Sequence, residues 1–361
     1  MKKTYSIVFF GSSLVSAYWN GAATYYRGII RNLYERGHRV TFYEPDIFDR
    51  QKHRDIPDPA YARSIVYRAE NADDVLTALR QAKHADIVVK ASGVGKFDDV
   101  LEQAVLEFKG PDKLVVYWDV DAPATLDRVN RNPGDPFRPL IQMYDLILTY
   151  GGGPPVVQEY EALGAHRCVP IYNALDPETH HPVPPDQRFH GSVGFLGNRL
   201  PDREQRVFDF FFYSARMLPE ETFLLGGNGW NHDAPDFKNV KYLGHVYTRD
   251  HNAFNCTPKL ILSINRESMA SCGYSPATRI FEAAGAGACL ITDAWEGIEL
   301  FLEPERECLL AGSGDDVVDC IRAVSPERAR EIGQAALQRV LREHTYVQRG
   351  EQVEALLNEM R

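Results

Sequence analysis

The chain has 361 residues, 44% hydrophobic and 25% charged, which is ordinary for a soluble globular protein and enough for two domains. Its formal net charge of −10 argues against nucleic acid or an anionic membrane as the partner of its average surface. The six cysteines, Cys168, Cys256, Cys272, Cys289, Cys308 and Cys320, form no CxxC pair and read as buried free thiols of a reducing compartment.

Residues 6–10 are an apolar run with the pattern of a strand rather than of a leader, and no apolar segment is long enough to span a bilayer, so a cytoplasmic location is expected. The run feeds the small-residue loop Gly11-Ser12-Ser13. A helical pattern follows, with Tyr25, Ile29, Ile30 and Leu33 on one face, stopped by Gly37, and residues 39–43 form the next strand. This is a βαβ unit without the GxGxxG of a dinucleotide site. Residues 46–62 are polar and read as a loop. Alternation then resumes: helix 72–83, strand 87–90, helix 98–108, strand 114–118, strand 146–149, helix 154–163 and strand 168–172. Glycines or acidic residues stand at several of the strand ends, notably Asp119-Val120-Asp121 and Gly151 to Gly153.

Residues 173–191 are Pro-rich, polar and aperiodic, and mark the domain boundary. A second alternation follows: strand 193–196 ending in Gly197-Asn198-Arg199, helix 202–217, strand 222–225 ending in Gly226 to Gly229, strand 240–243, helix 248–255 and strand 260–264. Helices at 325–343 and 346–360 close the chain. Two strand–helix series joined by a Pro-rich hinge imply an α/β protein of two Rossmann-like domains facing a cleft. Ligands of such sheets bind beyond the C-terminal strand ends, where the glycine loops fall.

Between these lies the most informative stretch, residues 273–310. Ser275 is placed to cap a helix, Pro276 suits its first position, and Thr278 and Arg279 lie in its first turn. Such a helix start, with its N–H groups, two hydroxyls and a guanidinium, suits a phosphate. Glu282 is the one carboxylate on an otherwise apolar helix and can accept hydrogen bonds from a diol such as a ribose; a packed helix with a surface Glu–Arg pair is the plainer reading. Ala283 to Gly287 are small enough for a backbone or ligand to approach, and the strand after them stops at Asp293.

The run RIFEAAGAGACLITD, residues 279–293, resembles the C-terminal donor-binding motif of GT-B glycosyltransferases, above all the CgeB-like (spore maturation protein) group of the glycosyltransferase-1-type families. Related GT-4 enzymes carry two glutamates; Glu282 stands at the second, where the family implies a contact to the nucleotide ribose, and the first falls at Tyr274. Gly37-His38-Arg39-Val40-Thr41 and the 173–182 linker are similar to other GT-B segments. The resemblance implies an N-terminal acceptor domain over 1–175, a nucleotide-sugar donor domain over 190–343, and a C-terminal helix, 344–361, returning to the first domain. It implies an enzyme, a glycosyltransferase of the hexosyltransferase type, that moves a sugar from a nucleoside-diphosphate sugar to a small-molecule, glycan or protein acceptor. No metal or cofactor is expected beyond that co-substrate. A two-lobed binding protein and a GT-B-fold sugar-nucleotide epimerase are the alternatives.

The candidate site residues follow. Gly197, Asn198, Arg199 and Arg203 suit a diphosphate, because guanidinium binds phosphate oxygens in a fork, or else a solvated helix start. Gly227 and Asn228 border a base or sugar pocket, or form a plain turn; without a GK[ST] ending they are no P-loop. Ser275, Thr278, Arg279 and Glu282 complete the donor set. Asp121, with Asp119, is the candidate to orient or deprotonate the acceptor, set against a helix cap before Pro123 and a metal-holding Asp-x-Asp. Gly11, Ser12 and Ser13 form the acceptor-side loop. His180, His181 and His190 read as solvent-exposed loop residues.

Overall fold

The computed structural model describes residues 3–18, 20–230 and 234–361. They divide into two compact units, Met1–Tyr172 with Tyr346–Arg361, and Asn173–Thr345.

The first unit is built on β1 (Ser6–Phe10), β2 (Arg39–Pro45), β3 (Arg63–Tyr67), β4 (Ile87–Ala91), β5 (Leu114–Asp119), β6 (Leu146–Thr149) and β7 (Cys168–Pro170). They form one parallel sheet in the order β3-β2-β1-β4-β5-β6-β7, with Ile7 aligned to Val40 on one side and to Ile87 on the other. β4 and β5 are buried along their whole length, as an all-parallel sheet covered on both faces requires. β3 lies at the edge and is only partly buried, which is why its Arg63 and Ser64 hide it among loop residues in the sequence.

Helix Ala23–Glu35 packs Tyr25, Tyr26, Ile29, Ile30 and Leu33 inward. Its outer neighbour is the C-terminal helix Tyr346–Glu359, which returns to this unit. Each helix offers the other a glycine. A Cβ at Gly28 would stand 2.3 Å from the Tyr346 ring, and one at Gly350 would stand 2.7 Å from Asn32 Cβ. Arg36 Nε donates to Glu354 Oε2 at 2.7 Å beside this contact.

The second unit repeats the plan with β8 (Val193–Leu196), β9 (Phe223–Gly226), β10 (Val240–Gly244), β11 (Leu260–Ser263), β12 (Leu290–Asp293) and β13 (Leu309–Ala311), in the parallel order β10-β9-β8-β11-β12-β13. Its core gathers Phe195, Phe211, Phe212, Phe223, Trp230, Leu262 and Ile291. The helix expected over 202–217 is two α segments, Pro201–Val207 and Tyr213–Met217, joined by a π turn at Phe208–Phe212. Helix Glu267–Cys272 was not distinguished in the sequence, and helix Ala122–Arg131 only as the cap alternative for Asp121.

All six cysteines are free thiols, with Cys168, Cys289 and Cys308 buried. Among the described residues, no helix is long and apolar enough to cross a membrane.

Candidate functional site

In the second unit the strand order reverses between β8 and β11. Chains leaving those two strands diverge to opposite sides of the sheet, so their C-terminal ends open a crevice suited to a ligand. After β8 come Gly197, Asn198 and Arg199. They are locked to the loop after β9: Asn228 N–H donates to Asn198 Oδ1 at 2.9 Å, Arg199 N–H to Asn228 O at 2.9 Å, and Trp230 Nε1 to Gly197 O at 2.7 Å. Gly227 has φ of 125°, and a Cβ there would lie 2.2 Å from Gly197 O, so no other residue allows this approach. Five sequence-predicted residues thus form one rigid double loop. Arg199 itself is turned to Glu204, 2.5 Å away, and over the Trp230 ring.

Arg203 follows on the first turn of the next helix. Its Nη2 donates to Asn198 O at 2.5 Å and its guanidinium stacks over Phe195, while its buried Nε has no hydrogen-bond partner in the protein. Burial, then the cations Arg279 and Arg266, lower its basicity to about 10, so it remains charged at neutral pH. Arg266 stands just beyond β11 and is held by Asp202, with Nε donating to Oδ2 at 2.8 Å. Between it and the strand is Asn265, 1% exposed, whose side-chain oxygen and nitrogen are both without a partner. Its backbone N–H donates to Asp293 Oδ1 at the end of β12. A buried donor left unpaired costs about 1–3 kcal/mol, more for a charged group, and clustered cations add repulsion. An anion at this crevice relieves both.

Arg279 belongs to helix Thr278–Gly285, and here the expected cap is corrected. The N-cap is Ala277, no side chain caps the helix, and Ser275 is buried two residues upstream. Two distant contacts hold the preceding segment out of the helix. Tyr274, in the left-handed region with φ of 47°, donates from its N–H to Glu296 O at 2.6 Å and from its hydroxyl to Glu296 Oε1 at 3.1 Å. Pro276 O accepts from Asn173 Nδ2 at 3.2 Å. The small C-terminal end of the helix is approached by Leu175, whose Cδ1 would lie 2.3 Å from a Cβ at Gly285.

Glu282 lies just over one turn from the helix start, its side chain 12% exposed, with Oε2 2.7 Å from Arg279 Nη1. Burial works to raise this carboxyl, but Arg279, with His180 and His251, outweighs it and holds the group at about 2. His180 corrects a second expectation. It is buried, 6% exposed, with Nε2 3.8 Å from Glu282 Oε1. Its exposed neighbours His181 and His190 are as the sequence suggested. The physical reason is the fold of the linker, which turns at Asp176, whose backbone O accepts from the N–H of Thr179 and of His180, and so directs His180 alone inward. Burial, then Arg279, push His251 down to about 4, and burial lowers His180.

In the first unit the reversal lies between β1 and β4. Gly11, Ser12 and Ser13 leave β1 there and are buried. Ser12 Oγ donates to Asn20 Oδ1 at 2.8 Å and Ser13 Oγ to Glu44 Oε2 at 3.0 Å, so both hydroxyls are engaged within the unit. Asp119 ends β5, fully buried, accepting from Ser92 Oγ at 2.8 Å, Tyr160 O–H at 2.5 Å and Asp121 N–H at 3.0 Å. Asp121 is exposed and occupies the N-cap position of helix Ala122–Arg131 without a side-chain cap bond.

Sequence reasoning missed Asn265, Arg266 and His251. The first two had a usable signal, a polar pair directly after an apolar strand at the reversal; a histidine inside the polar helix Thr248–Cys256 has none.

Residues 203–355 match the family described as glycosyl transferase-like. No curated protein matches the chain. Among solved structures it is similar to HepE of Anabaena in complex with UDP and glucose, at 15% identity and a TM-score of 0.71 over 98% of this chain and 99% of that one. It is equally similar to sucrose-phosphate synthase of Thermosynechococcus elongatus, at 13% identity and a TM-score of 0.71 over 98% and 99%. An alpha-glucosyltransferase in complex with UDP and a DNA containing an HMU base matches at 11% identity and a TM-score of 0.70 over 99% and 100%. These likenesses establish that the chain has the GT-B fold of glycosyltransferases.

Proposed function

We propose that this chain is a glycosyltransferase that binds a nucleoside-diphosphate sugar in its second unit and passes the sugar to an acceptor held by the first. The observation that carries this is the gathering of Arg203, Arg266 and Arg279 around the β8–β11 crevice, with buried, unpaired N–H groups on Arg203 and Arg279 and an orphaned Asn265 beside them. A diphosphate supplies the missing acceptors and the missing negative charge. As the sugar–phosphate bond breaks, charge grows on the leaving diphosphate. Preorganised guanidinium groups are aimed at that charge without needing a metal there.

The remaining roles follow from position. Gly197, Asn198, Gly227 and Asn228 present backbone around the crevice. Arg199 braces that loop through Glu204. Thr278 and the uncapped helix start add polar groups beside Arg279, and Ser275 packs behind them. Glu282, ionised at neutral pH, accepts from the ribose hydroxyls. Asp121 is the exposed carboxylate assigned to the acceptor hydroxyl, whereas Asp119 shapes its loop by accepting from Ser92, Tyr160 and the Asp121 N–H. Gly11 to Ser13 shape the corresponding strand end. The run RIFEAAGAGACLITD supports a reading within the CgeB-like group. The neighbours' molecules, a glucose with UDP in one and a DNA in another, leave the class of acceptor open, and the net charge of −10 favours a small molecule, glycan or protein over nucleic acid.

Thermal shift and calorimetry with UDP, GDP and dTDP test the reading. One of them is expected to stabilise the protein, and Arg203→Ala to weaken its binding roughly ten- to a hundredfold, the value of a charge-assisted hydrogen bond. No stabilisation by any of the three overturns it.

A further inference from the structure

We propose that His180, His251 and Glu282 form a binding site for a divalent transition metal ion of the zinc class, which fastens the linker segment to two helices of the second unit. The three residues come from separate pieces of chain: the turn after Asn173, helix Thr248–Cys256 and helix Thr278–Gly285. Each offers one ligand atom, and these atoms all lie within 4.8 Å of one another. His180 Nε2 and Glu282 Oε1 are already 3.8 Å apart.

The polar atoms are arranged as ligands rather than as a hydrogen-bonded group. His180 Nε2 and His251 Nδ1 are buried with no hydrogen-bond partner in the protein. The other ring nitrogen of His251, Nε2, lies 3.2 Å from Val246 O and therefore carries the proton. That leaves Nδ1 buried with a bare lone pair, the tautomer that a ligating histidine takes when a backbone carbonyl orients it. Arg279 Nη1, 2.7 Å from Glu282 Oε2, likewise anchors one carboxylate oxygen and turns the other toward the imidazoles. Potential ligand atoms from three separate pieces of chain thus gather in one place.

Two imidazole nitrogens and one carboxylate oxygen are a donor set of zinc, whose bonds of about 2.0–2.2 Å leave a fourth position for water. Nitrogen donors disfavour magnesium and calcium, which take oxygen. Closing the cluster onto an ion requires small side-chain rotations, with the Arg279 charge offset by the carboxylate it holds. The site goes beyond the transferase reading and does not rest on it, since its readout is metal binding in the absence of any nucleotide.

The test is titration of the chelator-stripped full chain with Zn²⁺, by calorimetry and by metal analysis after desalting, together with the visible absorption of a Co²⁺-substituted sample. One equivalent is expected, with d–d bands of a four-coordinate ion and a raised Tm. His251→Ala and His180→Ala should each weaken binding roughly ten- to a hundredfold or more, and His181→Ala, at the exposed neighbour, should not. If an alanine variant fails to fold, Glu282→Gln, which keeps the shape, is measured in its place and should weaken binding similarly. No stoichiometric binding, or binding untouched by these substitutions, overturns the proposal. Glu282 is shared with the proposed ribose contact, so His180→Ala and His251→Ala, which lie outside the donor set, are the variants that separate loss of metal from loss of nucleotide.

Discussion

The guanidinium of Arg203 lies against the α-carbon of Gly197, so that a Cβ at 197 would stand 2.9 Å from Nη2 and 3.1 Å from Cζ. The absent side chain of one residue sets the position of the charged end of the other. Gly197→Ala is therefore expected to displace the guanidinium while largely sparing the fold, because the closest overlap is with the end of a long flexible chain and the other, 3.1 Å from Phe195 Cζ, needs only a small shift of that ring. Nucleoside-diphosphate affinity should fall about tenfold, the order of one charge-assisted hydrogen bond, with the urea midpoint nearly unchanged. Undiminished affinity in calorimetry would take this pair out of the donor site.

Glu282 sits 2.7 Å from Arg279, and that contact decides which substitution is informative. Alanine would leave the half-buried guanidinium without its counter-charge and mix a stability loss with a binding loss. Glutamine keeps the volume and an acceptor oxygen. Glu282→Gln should lower nucleotide affinity about tenfold in a metal-free buffer while the protein remains cooperatively folded. Equal affinity for the nucleoside diphosphate would assign Glu282 to the protein's interior alone.

Asp121 and Asp119 separate by burial. Asp121→Asn should reduce kcat on the order of 10²–10⁴-fold, the range of general-base removal, and leave nucleotide-sugar affinity intact. Asp119→Asn should instead lower the unfolding midpoint, since Asp119 accepts three hydrogen bonds, two of them buried. Steady-state kinetics beside calorimetry distinguish the two, and full kcat in Asp121→Asn would exclude it as the base.

Glu102 gives a pH dependence in the first unit. It is 5% exposed, Tyr117 O–H stands 3.4 Å from its Oε1, and burial pushes its carboxyl up to about 7. Because the folded value lies above the unfolded one, its contribution is fully present below about 4.5 and is lost as pH rises through about 7. Glu102→Gln removes the charge that must be buried. The variant should be more stable than the parent by up to about 3 kcal/mol at pH 8 and nearly equal to it near pH 4.5. Equal unfolding free energies at both values would mean that the carboxyl ionises freely in place.

The two strand–helix series and the boundary segment between them were legible because buried parallel strands read as unbroken apolar runs. What escaped was set by contacts between distant residues. Ser275 and Pro276 have the chemistry of a helix start, yet Glu296 and Asn173 hold that segment extended and the helix begins at Thr278. His180 lies in a polar, proline-rich stretch with no periodicity to mark an inward face, and only the folded chain brings His251 and Glu282 to it. Edge strand β3 was hidden by its own exposure. Among the residues proposed to hold the donor, Arg203 and Arg279 could be picked out only as isolated cations; that they lie near one another and Arg266 could not.

The reciprocal glycines Gly28 and Gly350 also bear on synthesis. Helix Ala23–Glu35 emerges from the ribosome before residues 173–345, and the helix that covers it, Tyr346–Glu359, after them. Throughout translation the first unit waits with that face bare while the whole of Asn173–Thr345 is already available to fold. The unit begun before the other is thus completed after it, and a chaperone that shelters nascent chain has its longer task there.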